Sequence, residues 1–157
     1  MVSIVRGILD YQFGSRVGTQ ICRDYEIKIE YSKRTGRARR IYIDKKLFGT
    51  IEPTTGFIIP TYFGASIIKN YLTFPKYRVV VSDEAVQFVS KGKTVFNKFV
   101  SFCYEEVLPY DVVLVVDKKD NLLAVGISQL SAREMLEFDI GVAVKVKHAR
   151  EDNKSKR

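Results

Sequence analysis

Tyr77-Arg-Val-Val-Val-Ser-Asp-Glu-Ala-Val-Gln-Phe-Val-Ser-Lys-Gly-Lys-Thr-Val-Phe96 opens the stretch that decides the fold, and Gly141-Val-Ala-Val-Lys-Val-Lys-His148 closes it. The first piece predicts a strand over 78–82 and then a two-turn helix over 83–90. Ser82 stands at the N-cap, Asp83 and Glu84 meet the positive end of the helix dipole, and Gly92 lies just past the last turn. In the closing piece Val142, Val144 and Val146 alternate with Lys145 and Lys147, which predicts a strand with the valines inward and the lysines outward. Between the two pieces, strands fit 95–104, 111–117 and 122–128, the last two joined by a turn at Lys119-Asp120-Asn121. Ser131-Ala-Arg-Glu134 is a capping box with Leu130 and Met135 in the staple positions, so a short helix is expected over 132–137. Many short strands with a pair of short helices predict a small, closed or partly closed β-barrel.

Upstream of Pro75 the pattern is mixed. Ile4, Val5, Ile8 and Leu9 recur at helical spacing, predicting an amphipathic helix over 3–13 that stops near Gly14. Residues 27–31 and 39–44 alternate as strands, and Ser32-Lys-Arg-Thr-Gly-Arg37 between them reads as a hairpin with a basic tip. Short strands fit 46–51 and 56–59. Phe63, Ile67, Ile68, Tyr71 and Leu72 mark a further helix, closed by Phe74-Pro75. The expected organisation is α+β: a small α+β domain over 1–75, a barrel with two short helices over 77–150, and a charged, frayed tail over 151–157.

Composition narrows the function. The chain has 157 residues, net charge +8 and a hydrophobic fraction of 46%, enough for a packed core and basic enough to favour a polyanionic partner. Apolar runs are too short to span a bilayer and no leader-like segment stands out, so a cytoplasmic protein without a membrane partner is expected. Cys22 and Cys103 stand far apart, outside any CxxC, and His148 is the sole histidine, so no metal site is expected and both thiols read as buried and inert. Phosphate-binding glycine motifs are missing, and no cofactor is expected. Glu105-Glu106 reads as a solvated loop pair and Asp83-Glu84 as a helix start. The catalytic inventory is therefore thin.

The binding inventory is richer. Between Lys33 and Lys46 lie seven basic residues (Lys33, Arg34, Arg37, Arg39, Arg40, Lys45 and Lys46) against one acidic residue, Asp44. Arginine suits phosphate through its planar fork of donors. Tyr31 and Tyr42 flank the cluster and could stack on bases or simply pack. Lys91-Gly92-Lys93 is a second basic element: a left-handed Gly92 would expose backbone N–H groups to a phosphate, or would serve only as a helix C-cap. Phe96 could stack on a base or fill the core. Lys145, Lys147 and His148 form a third element on the last strand, with His148 either a half-buried strand-end residue or an RNA contact.

Residues 77–148 resemble a PUA domain, the RNA-binding barrel named for pseudouridine synthases and archaeosine transglycosylases. The carriers are Arg78-Val-Val-Val81, Ala85 through Phe96, Tyr110 through Asp117, Leu123-Ala-Val-Gly126, Ser131 through Met135, and Gly141 through His148. The first half is similar to the segment preceding that barrel in archaeosine tRNA-guanine transglycosylase and archaeosine synthase, through Leu9-Asp-Tyr-Gln-Phe-Gly14, Ser32 through Arg37, Gly56-Phe57 and Gly64-Ala65. The resemblance implies an RNA-binding accessory unit of an archaeal tRNA-modification system. Its barrel would grip the acceptor stem and CCA end of tRNA, while a separate catalytic subunit modifies a base. The expected RNA-binding residues are Lys33, Arg34, Arg37, Arg39, Arg40, Lys91, Gly92, Lys93, Phe96, Lys145, Lys147 and His148, with no catalytic residue. The rival expectation is a protein-interaction subunit that docks on such an enzyme and makes no direct contact with RNA.

Overall fold

In the computed structural model, which describes residues 2–152, the chain divides into two compact units, Met1–Leu72 and Thr73–Arg157. The first opens with α1 (Val2–Phe13), which buries Val5, Leu9 and Phe13 and stops at Gly14. A second helix, α2 (Val17–Asp24), follows at once. The sequence pattern did not anticipate it, because its entry residue Arg16 is left-handed and makes no side-chain cap. Two contacts place it instead. The Asp10 carboxylate accepts from the Thr19 amide at 3.0 Å and the Thr19 hydroxyl at 2.7 Å. Gly18 lies so close to the Arg6 carbonyl that a Cβ there would collide.

The rest of this unit is an antiparallel meander, β1 (Ile27–Tyr31), β2 (Ala38–Ile43), β3 (Lys46–Ile51) and β4 (Ile58–Pro60), followed by α3 (Tyr62–Lys69). Ile27, Ile41, Ile43, Phe48 and Ile58 turn to the core. A two-residue turn at Asp44 and Lys45, both with positive φ, joins β2 to β3, as the right-handed twist of hairpins favours. Gln12 ties α1 to the sheet edge by donating to the Ile58 carbonyl at 3.0 Å and accepting from its amide at 2.6 Å. Thr61 caps α3 by accepting from the Gly64 amide at 3.1 Å.

The second unit is a nearly closed barrel. Its strands are β5 (Arg78–Val81), β6 (Val95–Phe96), β7 (Val100–Cys103), β8 (Val112–Val116), β9 (Leu122–Ser128) and β10 (Val142–Ala149), in the order β6-β10-β9-β8-β5-β7. The two outermost strands, β6 and β7, are consecutive in the chain and joined by one 3-10 turn over Asn97–Phe99, which brings the sheet back on itself. The expected continuous strand over 95–104 is thus broken. Asn97 turns inward at the break, its amide donating to the Gly141 carbonyl at 3.0 Å. Short helices α4 (Val86–Val89) and α5 (Ala132–Glu137) complete the unit. The capping box on α5 forms as expected: Ser131 Oγ accepts from the Glu134 amide at 3.3 Å and Glu134 Oε1 from the Ser131 amide at 3.0 Å. Ser82 does not cap by its side chain; its buried hydroxyl has no partner among the described residues.

Val79 and Val81 of β5, Val113 and Val115 of β8 and Val144 of β10 make the core with Leu123 and Met135. Burying each such side chain contributes about 1.5–3 kcal/mol. One charged group joins them. Arg78, 2% exposed, donates through Nε to Asp120 Oδ1 at 2.9 Å and through NH2 to Asp120 Oδ2 at 3.3 Å. A third bond runs from its NH1 to the Lys76 carbonyl at 3.0 Å, and the Phe74 ring lies 6.0 Å from the guanidinium. The tail expected to fray from Glu151 is held at its start, where the Glu151 amide donates to the Ser90 carbonyl at 3.0 Å. The remainder of that tail, 153–157, lies outside the described residues.

Two outcomes follow from this packing. Asp120→Ala leaves a buried guanidinium without its carboxylate and should lower unfolding free energy by about 3 kcal/mol in urea denaturation; an unchanged midpoint would contradict the pairing. Burial pushes the Cys103 thiol up to about 12. Its thiolate is therefore scarce at pH 8, and Cys103 should stay unalkylated by iodoacetamide in the native protein, reacting only on denaturation. Mass spectrometry after labelling with and without denaturant checks this.

Candidate nucleic-acid interface

The strongest concentration of positive charge is built by the β1–β2 hairpin. Its tip carries Lys33, Arg34 and Arg37, all exposed, and turns at Gly36. The Ser32 amide donates to the Arg37 carbonyl at 2.8 Å and the Gly36 amide to the Ser32 carbonyl at 2.8 Å, so the tip is a closed turn. Just below it lies an open recess of about 460 Å³ lined by Glu30, Tyr31, Ser32, Lys33, Arg34 and Arg39. Three cations and a 44%-exposed tyrosine ring therefore share one concavity with a single carboxylate. Charged donors at its rim and an aromatic face within it are the elements that hold a phosphate and stack a base.

Arg40 departs from this group. It stands directly across from Glu30 in the β1–β2 register and donates to Glu30 Oε1 at 2.7 Å, a bond that raises its pKa further. Much of its charge is thereby answered inside the hairpin. Lys46 is turned aside too, its ammonium 5.2 Å from the Phe63 ring centre.

The Lys91-Gly92-Lys93 loop takes the second of its two expected forms, the helix C-cap. Gly92 is left-handed with φ 97°, but the loop amides are not offered outward. Lys91 and Lys93 donate to the Phe88 carbonyl at 3.2 and 3.1 Å, and Gly92 donates to the Val89 carbonyl at 2.9 Å. This is the closing turn of α4, in which the glycine satisfies the helix's own carbonyls. Two carboxylates sit beside it. Glu151 Oε2 accepts from the Ser90 hydroxyl at 3.0 Å. Asp152 Oδ2 accepts from the Ala149 amide at 2.8 Å, while its Oδ1 lies 3.4 Å from where a Gly92 Cβ would stand. The sequence held the signal for these acids in Glu151-Asp152 directly after the last strand. What this loop offers a polyanion is the exposed side chains of Lys91 and Lys93.

The remaining residues follow β10. Phe96, 45% exposed, pairs with Val142 at its start. Lys145 and Lys147 are exposed along it, and His148 is half-buried near its end. A bulge between Val146 and His148 inserts Lys147 as the extra residue. Ala149, the last residue of the strand, approaches the Gly92 position. Phe96 lies beside the start of β10 and the Lys91–Lys93 loop toward its end, and since only Thr94 and Val95 separate Lys93 from Phe96 the two are at most about 11 Å apart. They lie along one strand. Among the described residues no group of three or more His, Cys, Asp or Glu could hold a metal, and no helix is long and apolar enough to cross a membrane.

Comparison with known proteins agrees with this architecture. Residues 3–75 match the family described as patch-forming domain C2 of tRNA-guanine transglycosylase, and residues 77–150 match the PUA domain family. A tRNA-guanine(15) transglycosylase from Methanococcus vannielii is 40% identical over 141 residues, covering 89% of this chain and 21% of the relative. The corresponding enzyme of Methanocaldococcus jannaschii is 39% identical over 96% of this chain and 23% of its own length. The chain thus spans about a fifth of the length of the curated relatives it matches. Among solved structures, a hypothetical protein from the hyperthermophilic archaeon Pyrococcus horikoshii superposes with a TM-score of 0.76 at 26% identity, over 98% of this chain and 92% of that one. Barrel, hairpin and these matches together identify the chain as a C2 domain of the tRNA-guanine transglycosylase type followed by a PUA domain.

Proposed function

We propose that this chain is a cytoplasmic tRNA-binding accessory protein of a base-modifying system of the archaeosine type. Residues 1–75 act as a backbone-gripping domain ahead of a PUA domain over 77–150, which receives the acceptor stem and CCA end. The supporting observation is the hairpin recess, where Lys33, Arg34 and Arg39 surround an exposed Tyr31. Phosphates set against these side chains release counterions, and that release supplies affinity without reading sequence. Arg37 extends the same tip, and Arg40 contributes whatever donors Glu30 leaves it. In the PUA domain, Lys91, Lys93, Lys145, Lys147 and His148 track the chain along β10, and Phe96 stacks on a base at the far end. Gly92 serves by shaping the loop.

Catalysis is assigned to a separate subunit or polypeptide. The relatives named as transglycosylases are about five times as long as the matched region, and burial pushes the Cys103 thiol up to about 12, away from a nucleophilic thiolate. A second reading has a specific observation in its favour. The amides of the Gly92 loop are consumed and two acids stand beside it, which suits a protein surface as well as an RNA end. In that reading the PUA domain docks on the enzyme, and a partner would be retained in nuclease-treated lysate.

The hairpin is tested by Lys33→Ala, Arg34→Ala and Arg37→Ala combined. All three side chains are exposed, so folding should be unaffected. Binding to tRNA should weaken by about tenfold or more, and the log–log salt slope should fall by roughly two to three. Filter binding over a salt series measures both; an unchanged slope would remove the hairpin from the interface.

A further inference from the structure

A register shift in the β1–β2 hairpin decides what its recess contains. Glu30 stands across from Arg40 and Tyr31 across from Ala38, so Arg39 is the extra residue of a bulge. In a regular ladder Glu30 and Tyr31, as neighbours, would point to opposite faces of the sheet. Here both line one recess, together with Arg39 and the tip residues Lys33 and Arg34. Its volume of about 460 Å³ falls within the range of about 300–1,000 Å³ of small-ligand sites.

Glu30 is the informative residue. A bare carboxylate would oppose a polyanion brought in by three cations. Its charge is answered inside the hairpin, since Arg40 donates to Oε1 at 2.7 Å. The cations Lys33, Arg34 and Arg39 are thereby left to a phosphate. Among the described residues, Oε2 has only the Tyr42 hydroxyl at 3.5 Å, the outer limit of a hydrogen bond. A carboxylate carries about four acceptor sites, so acceptor capacity remains beside a Tyr31 ring that is 44% exposed.

The four RNA bases are unequal partners for such a group. Guanine presents two adjacent donors on its Watson–Crick edge, N1–H and the exocyclic amine, and a carboxylate accepts both. Adenine and cytosine set an acceptor ring nitrogen beside their amine, and uracil sets its N–H between two carbonyls. Each of those acceptors repels a carboxylate. Within a duplex, guanine has already given this edge to its complement, so an occupant that uses it is unpaired.

We propose that the bulged hairpin recess is a specificity site for one unpaired guanine nucleotide of RNA. Tyr31 stacks on the base, Glu30 accepts from its N1–H and exocyclic amine, and Lys33, Arg34 and Arg39 hold the adjoining phosphates. This assignment rests on the RNA-binding reading above and adds base recognition to it.

An NMR titration of the isotope-labelled full chain with GMP, AMP, CMP and UMP, each to about 10 mM, reads the amides from Glu30 to Arg39 directly. GMP should shift them with at least about fivefold higher affinity than the other three. IMP, which keeps N1–H but lacks the exocyclic amine, should fall between GMP and AMP. Glu30→Gln should bring the GMP-to-AMP ratio close to one, with amides outside the hairpin unmoved. The ratio is the readout because this change also releases Arg40 and alters anion affinity in general. No shift with any nucleotide would overturn the proposal, and so would a GMP preference that survives Glu30→Gln. Equal binding of all four, alongside a tRNA salt slope that falls in the triple hairpin variant, would sink the guanine preference and leave the RNA-binding reading standing.

Discussion

A buried arginine at the first position of β5 sets the geometry on which the barrel depends. β5 lies between β7 and β8, antiparallel to one and parallel to the other, and all four of its residues are buried. Parallel pairing needs a long crossover and offers no tight turn to fix the register. Arg78 supplies a fixed point by reaching Asp120 in the turn between β8 and β9, with Lys76 and Phe74 closing around it. A charge in that position is costly unless it is paired, so one alignment of β5 against β8 is strongly preferred. With that alignment set, Val79 and Val81 face the core beside Val113 and Val115, and the sheet can curl until its edge strands meet through one turn.

Net charge alone says little about a surface; what counts is which charges the fold answers internally. In the first unit, Arg23 is paired with Asp24, and Arg40 with Glu30. In the second, Arg78 is paired with Asp120, and Arg133 with Glu137. The hairpin tip is different: Lys33, Arg34 and Arg39 outnumber the one carboxylate in their recess, and Tyr31 offers a ring beside them. The loop at Gly92 is different in the opposite sense. Its lysines point outward, but its amides are spent on the helix and Glu151 and Asp152 crowd it. The two basic motifs, similar as strings of letters, are thus unequal as ligands for a polyanion.

Much of the architecture was legible in the residues. The Ser131–Glu134 capping box and the basic turn between β1 and β2 each carry a local signal that tertiary packing reinforces, while the alternation expected of β10 is interrupted by two register shifts that bury Ala143 with Val144 and leave Val142 half-buried. α2 was not legible, because Arg16 offers no capping side chain and the helix is positioned by Asp10 from the preceding one. The break at Asn97 hid inside an apolar run, though a polar amide between Phe96 and Lys98 was its trace. Pairing of Arg40 with Glu30 could have been inferred by counting across the hairpin. The fate of the Gly92 amides could not, since a left-handed glycine serves a helix end and an anion site with the same backbone shape.

The coupling of a C2 domain to a PUA barrel, with three cations around an exposed tyrosine at a hairpin, is what supports the proposal that this chain holds RNA. Ultraviolet cross-linking in cells, followed by sequencing of the attached RNA, is the most direct measurement of that idea. Strong enrichment of tRNA, with cross-links mapping to peptides from the hairpin and from β10, is the expected result. RNA recovered no differently from a control of similar charge would contradict it.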